Sequence, residues 1–272
     1  MKIGANNEAI EIEHRKLGVI AGAQSDAVRA VRTTPGLASN LSAQPFVRGA
    51  LRNDVMVRFD GVEALDPFHL KIFQSLLSLF DPFAIGRVDI YTGGFSVRFG
   101  TRSAGVIDLW PRSIASGQEY QLGTSLLSTD FALIGRARNR PVEWLATVRR
   151  SSSSDIVQPI DGERGRPQFY DALGRIRWIT GAATALTAGW LLLDDSARLS
   201  SGTGDESVAV RSRDISGWFR LDYGSVPALS SSTTLAFTNS ERTRQGFANL
   251  AGVITGTLDD RRYFTQLSLR SE

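Results

Sequence analysis

The run "VRSRDISGWFRLDY", residues 210–223, alternates in character at nearly every step. Successive side chains of an extended strand point to opposite faces. Ile215, Gly217, Phe219, Leu221 and Tyr223 therefore share one face, and Asp214, Ser216, Arg220 and Asp222, with Trp218, share the other. One face is apolar and the other wet. Such a strand either packs its apolar face against a second sheet, as in a β-sandwich, or turns it to hydrocarbon, as in an outer-membrane barrel.

The same pattern spreads outward along the chain. Val142, Trp144, Ala146 and Val148 oppose Glu143, Thr147 and Arg149; Ala172, Gly174, Ile176 and Trp178 oppose Asp171, Arg175 and Arg177. Tyr263, Thr265, Leu267 and Leu269 oppose Arg262, Gln266, Ser268 and Arg270. Periodicity predicts eight strands, over 117–127, 130–138, 141–151, 168–179, 182–193, 210–223, 229–241 and 259–270. Most exceed the usual globular length of about five or six residues. Short connections ("NR", "GA", "GSVPA") alternate with long polar ones around 152–167, 196–208 and 242–258. That asymmetry matches a barrel with tight periplasmic turns and longer outer loops better than a sandwich of short, evenly spaced strands.

Composition removes several classes of function. The 272 residues carry a formal charge of +3, and 28 of the 31 basic residues are Arg spread along the chain rather than clustered in a stripe, so no nucleic-acid partner is expected. There is no Cys and only His14 and His69, which argues against disulfides, thiolate zinc or an imidazole-rich metal site. No cofactor is expected. The opening "MKIGANNEAIEIEH" lacks the apolar core of a secretory leader, and no uninterrupted apolar run is long enough for a membrane helix. Two stretches read as helical: "DAVRAVRTTPG" from residue 26, capped by Asp26 and ended before Pro35, and "PFHLKIFQSLLSLF", residues 67–80.

The chain changes character near Arg112. The reading is residues 1–23 as a linker or the remnant of an upstream β domain, 24–113 as a first domain, and 114–272 as the strand-rich part. Before the change, segments are short and punctuated by glycine, as in "DIYTGGFSVRFGTRSAGVIDL", residues 89–109. Gly93, Gly94, Gly100 and Gly105 allow positive φ or a close backbone approach. Asp60-Gly61 after an apolar run fits a tight turn. Barrels of eight strands are filled by their own side chains, whereas barrels of about 22 strands have a plugged lumen. A domain placed ahead of eight strands therefore predicts the first part of a larger barrel, not closable within these residues, and so a fragment of a longer protein.

"DAVRAVRTTPGLAS", "FVRGALRNDVMVRFDGV", "DPFHL" and "DIYTGGFSVRFGTRSAGVIDL" resemble, in order and spacing over residues 24–113, the plug domain of TonB-dependent outer-membrane receptors. Arg58 departs from the family by standing in a strand that is usually apolar, and no TonB box is evident before residue 24. The resemblance implies a mixed α+β plug followed by an antiparallel transmembrane β-barrel segment in the Gram-negative outer membrane. It also implies a plug motif of structural and gating residues: Arg48, Gly49, Asp60, Gly61, Gly93, Gly94, Arg98, Gly100, Arg102 and Gly105. Arg48, Arg98 and Arg102 are then expected to meet acidic groups of the wall. The implied partners are outer-membrane lipid, TonB with its inner-membrane energising complex, and a small-molecule, oligosaccharide or peptide ligand.

The implied activity is binding of a scarce extracellular ligand and its import into the periplasm. The alternative is an outer-membrane or surface β-rich binding or adhesion module without energised transport. Catalysis is not expected. Asp194-Asp195 and Asp259-Asp260 are adjacent acidic pairs, but consecutive strand residues face opposite ways and cannot flank one bond. No nucleophile elbow, Walker loop or dinucleotide fingerprint is present. Arg164, Arg166, Asp205, Glu206, Arg242 and Arg244 read as charges of the long loops.

Overall fold

A computed structural model describes residues 2–3, 9–20, 26–38, 42–48, 54–71, 75–94, 99, 104–125, 127–152, 167–200, 207–226, 229–247, 249–250, 253–254 and 256–271. The chain divides into two compact units, Met1–Gln118 with Ile134–Arg136, and Glu119–Leu133 with Ala137–Glu272.

In the first unit, β1 (Lys2–Ile3) and β2 (Ile10–Glu13) precede a single helical turn, α1 (His14–Leu17). The second, α2 (Ala27–Ala30), runs into a 3-10 turn at Val31–Thr33. Short strands follow: β3 (Leu37–Ala38), β4 (Phe46–Val47), β5 (Val55–Phe59), β6 (Val62–Glu63), β7 (Phe68–His69) and β8 (Leu77–Ser78). The unit ends on β9 (Ile85–Tyr91) and β10 (Gly105–Pro111). A six-stranded sheet has the order β1-β2-β9-β10-β5-β6, with β10 parallel to β5 and antiparallel to β9. Val57, Phe59, Val88, Ile90, Val106, Ile107 and Leu109 from its middle strands are all buried.

The expected helix over 67–80 is not formed. Among the described residues of that stretch, β7 and β8 pair antiparallel, Phe68 with Ser78 and His69 with Leu77. Leu70 and Ser75 have φ of 54°, and the Ser75 amide donates to the Leu70 carbonyl at 3.1 Å. The reason lies in the burial: Phe68, His69, Leu70, Leu77, Ser78, Leu79 and Phe80 are all enclosed, polar and apolar alike, so no face of the stretch meets solvent and burial carries no helical period. Tertiary anchoring decides instead. Asp26 caps α2 through the amides of Val28 (2.8 Å) and Arg29 (3.0 Å), and the same carboxylate accepts from the Ser78 hydroxyl at 2.7 Å and from the Ser78 amide. One buried carboxylate thus fixes α2 against β8.

The second sheet holds eight strands: β11 (Gly117–Thr124), β12 (Ser128–Arg136), β13 (Val142–Ser151), β14 (Gln168–Gly181), β15 (Thr184–Ser200), β16 (Ser207–Val226), β17 (Leu229–Phe247) and β20 (Leu258–Ser271). The two-residue strands β18 (Asn249–Leu250) and β19 (Val253–Ile254) pair only with each other. The large sheet is in simple sequence order and is not closed, with β11 and β20 at its edges. All eight expected strands are present. β15 and β17 run furthest past the expected ends, to Ser200 and Phe247, so Arg242 and Arg244 are strand residues rather than loop charges, and Asp194 and Asp195 lie within a strand rather than at its end. Arg164, Arg166, Asp205 and Glu206 lie outside the described residues.

Candidate functional site: plug turns and an inside-out wall

Several residues expected to matter in the first unit come together around two turns. Asp60 and Gly61 have φ of 51° and 82°, and they join β5 to β6 with Phe59 facing Val62. Two consecutive left-handed residues make the tight hairpin turn that the Asp-Gly pair favours. The Asp60 amide donates to the Leu109 carbonyl at 3.0 Å, tying the turn to β10. Arg58, the odd residue of β5, has a local purpose. Its guanidinium donates to the Gly61 carbonyl at 2.5 Å and to Asp108, its register partner on β10, at 3.3 Å, and it lies 5.3 Å over the Phe99 ring.

The second turn involves Arg48 and the glycines after β9. Arg48 has φ of 48°, and its amide donates to the Gly36 carbonyl at 3.0 Å. Its guanidinium sits where a side chain on Gly93 would be, with Nη1 2.8 Å from the position of a Cβ there. Gly105 is a second close approach: a Cβ would lie 2.8 Å from the Tyr91 carbonyl oxygen and 3.0 Å from Val47. Gly94 supplies the other of the two expected properties, positive φ rather than a close approach. Nothing lies within 4 Å of its missing Cβ, and what it supplies is a φ of 65°. Gly49, Arg98, Gly100 and Arg102 lie outside the described residues.

In the second unit the unusual feature is the sense of the sheet. Glu143, Thr147 and Arg149 on β13, Asp171 and Arg175 on β14, Asp195 on β15, Asp214 and Ser216 on β16, and Thr238 and Ser240 on β17 are all buried. On the opposite face Phe219, Tyr263, Leu267 and Leu269 are 70%, 68%, 68% and 75% exposed. A water-soluble sheet has the reverse arrangement. The polar side is internally satisfied in part. Arg149 donates twice to one Asp171 oxygen, at 2.8 and 2.7 Å, across directly registered positions, and Ser216 and Thr238 share a hydroxyl hydrogen bond of 2.9 Å.

The apolar side forms registered rows. Trp144, Ile176, Ala188, Phe219, Leu235 and Leu267 are successive cross-strand partners from β13 to β20. Glycine and tryptophan are matched on both faces. The Trp190 indole lies over Gly174 on the outer face, and Trp218, 1% exposed, lies over Gly189 on the polar face. Aromatic rings thereby cover backbone that glycine leaves bare. No helix among the described residues is long and apolar enough to cross a membrane.

Residues 19–107 match the sequence profile of the TonB-dependent Receptor Plug Domain. This stretch is a TonB-dependent receptor plug. The wall that follows the plug shares the barrel fold of solved outer-membrane receptors. The outer membrane transporter YddB from Escherichia coli superposes with a TM-score of 0.67 at 11% identity, over 90% of this chain and 41% of that one. The siderophore receptor PirA from Acinetobacter baumannii gives 0.63 at 14% identity over 97% and 44%. A variant of the ferric enterobactin receptor PfeA from Pseudomonas aeruginosa gives 0.63 at 13% identity over 97% and 45%. The chain spans less than half the length of these receptors. No curated protein matches it significantly in sequence.

Proposed function

We propose that this protein is a TonB-dependent outer-membrane receptor, with the plug over 24–113 and the barrel wall from 114 onward. It binds a scarce ligand outside the cell and releases it into the periplasm when TonB, driven by the inner-membrane proton gradient, pulls on the plug. The single observation that carries this reading is the inside-out sheet placed directly after a plug domain: a wall with charge inside and hydrocarbon outside is of use only around a wet lumen in a bilayer. The work is transport, with no covalent step and no catalytic group. Arg48, Gly49, Asp60, Gly61, Gly93, Gly94, Arg98, Gly100, Arg102 and Gly105 form the plug motif through which the pull is transmitted.

Ferric siderophores are the first ligand class to test, because PirA and PfeA are receptors for such compounds; oligosaccharides and peptides are the next. The test is radiolabelled ligand uptake by cells carrying the complete gene product, with and without TonB. Uptake above background that vanishes without TonB or on collapse of the proton gradient supports the reading. Surface binding with no TonB-dependent accumulation for any of the three classes replaces it with the adhesion alternative.

A further inference from the structure

The eight-stranded sheet carries charge on its outward face in one place only among the described residues of β13 to β20. Immediately beyond the last apolar row, Val148, Ala172, Leu192, Ile215, Asn239 and Tyr263, the next registered row is Arg150, Tyr170, Asp194, Arg213, Glu241 and Arg261. This row lies toward the long connections, at 152–167, 201–206 and 248–257, rather than toward the short turns. It and the next rows turn five arginines outward, Arg150, Arg198, Arg211, Arg213 and Arg261, against the carboxylates of Asp194, Glu241 and Asp259.

Asp194 organises the centre of this belt. One carboxylate oxygen accepts from Arg211 Nη2 at 3.0 Å, from Arg213 Nε at 3.0 Å and from Arg213 Nη2 at 2.7 Å. One negative charge holds two positive ones in place, and the side chains of Arg211 and Arg213 stay 58% and 46% exposed. Directly above lies an outward groove of about 460 Å³, floored by the short side chains of Ser196 and Ala209 and edged by Gln168, Arg198, Arg211 and Gln245. A positive excess, spare guanidinium donors and amide groups around a small-residue floor suit a phosphate carried on a polyhydroxyl frame.

We infer that this groove and the Arg211–Arg213 fork hold the phosphorylated headgroup of an outer-leaflet lipid, with Asp194 as the positioning residue. The occupant follows from position: a group on the outer face of the wall, one row past its hydrocarbon band, meets headgroups before it meets bulk water. The inference rests on the membrane-wall reading above. Arginine near an anionic surface gains attraction that falls away within a Debye length, so the contact weakens in salt.

The experiment takes the complete gene product from outer membranes into detergent and measures retained lipid by native mass spectrometry. The probes are bis-phosphorylated lipid A, the same lipid after dephosphorylation, and inorganic phosphate. Expected are retention of the bis-phosphorylated lipid, loss of about tenfold or more in R211Q/R213Q, the scale of two arginine–headgroup attractions, and similar loss in Ser196→Trp, which fills the groove and spares the arginines. The inner-face variant Arg270→Gln retains lipid as the parent does. Equal retention in parent and R211Q/R213Q, equal retention of the dephosphorylated lipid, or displacement by inorganic phosphate at matched concentration overturns the inference. If R211Q/R213Q fails to insert, Ser196→Trp decides alone. Fractionation of the parent separates the two readings: absence from the outer membrane sinks the wall, whereas presence there without retained lipid sinks only the headgroup site.

Discussion

Gly189 and Gly174 make the same kind of contact in opposite surroundings, so they test the wall residue by residue. A Cβ on Gly189 would fall 2.1 Å from the Trp218 indole, and one on Gly174 would fall 1.9 Å from that of Trp190. Trp218 is 1% exposed and has nowhere to go, while Trp190 is 45% exposed and can swing outward. Gly189→Ala is therefore expected to cost about 1–3 kcal/mol in chemical unfolding, the range of overpacking. Gly174→Ala should cost clearly less; equal losses would mean the two rings are equally confined. The Asp194 carboxylate accepts from both Arg211 and Arg213, so Asp194→Asn is expected to lower the thermal midpoint of the parent; an unchanged midpoint would mean that the shared oxygen holds neither arginine in place.

Single strands carry the next scale of argument. β16 was legible from its period of two, because every second residue from Ile215 to Tyr223 meets one solvent and every second from Asp214 to Asp222 meets another. The stretch 67–80 was not, since enclosure on all sides erases any period and the anchoring of Ser78 by Asp26 is a contact between distant residues. The extensions of β15 and β17 escaped for a related reason: past Leu192 and Phe237 the outward positions turn polar, which in sequence looks like a loop and in three dimensions is the same strand leaving hydrocarbon. The charged row across Asp194, Arg213, Glu241 and Arg261 was invisible for lack of register, as no spacing along the chain brings those residues side by side. Depth can be measured directly on these strands. Phe219→Arg, in the middle rows, is expected to cost about 2–4 kcal/mol, and Tyr263→Arg, in the last apolar row, about 0–1 kcal/mol. Folding titrations into detergent or lipid that show no difference between the two would remove the hydrocarbon from that face.

At the scale of the molecule, the plug and the wall respond to different substitutions. Gly105→Val pushes a side chain into the Tyr91 carbonyl and Val47, a clash of backbone as well as side chain. It should abolish ligand uptake while the protein still reaches the outer membrane in heat-resistant form; normal uptake would demote Gly105 to an ordinary strand residue. The plug was readable in sequence as an ordered set of turns. Arg48 against Gly93 shows what was not: the set predicts that glycine is needed, and only the fold says that another residue's side chain is what fills the space.

The greasiness of this wall exists only after assembly. Because its apolar residues are rationed to every other position, no strand of the unpaired chain carries the continuous apolar surface that marks a membrane helix. Its affinity for lipid is switched on by hydrogen bonding between neighbours, and switched on too early it would drive clumping in water. On the receptor reading proposed above, the strands are expected to need keeping apart until a membrane is at hand.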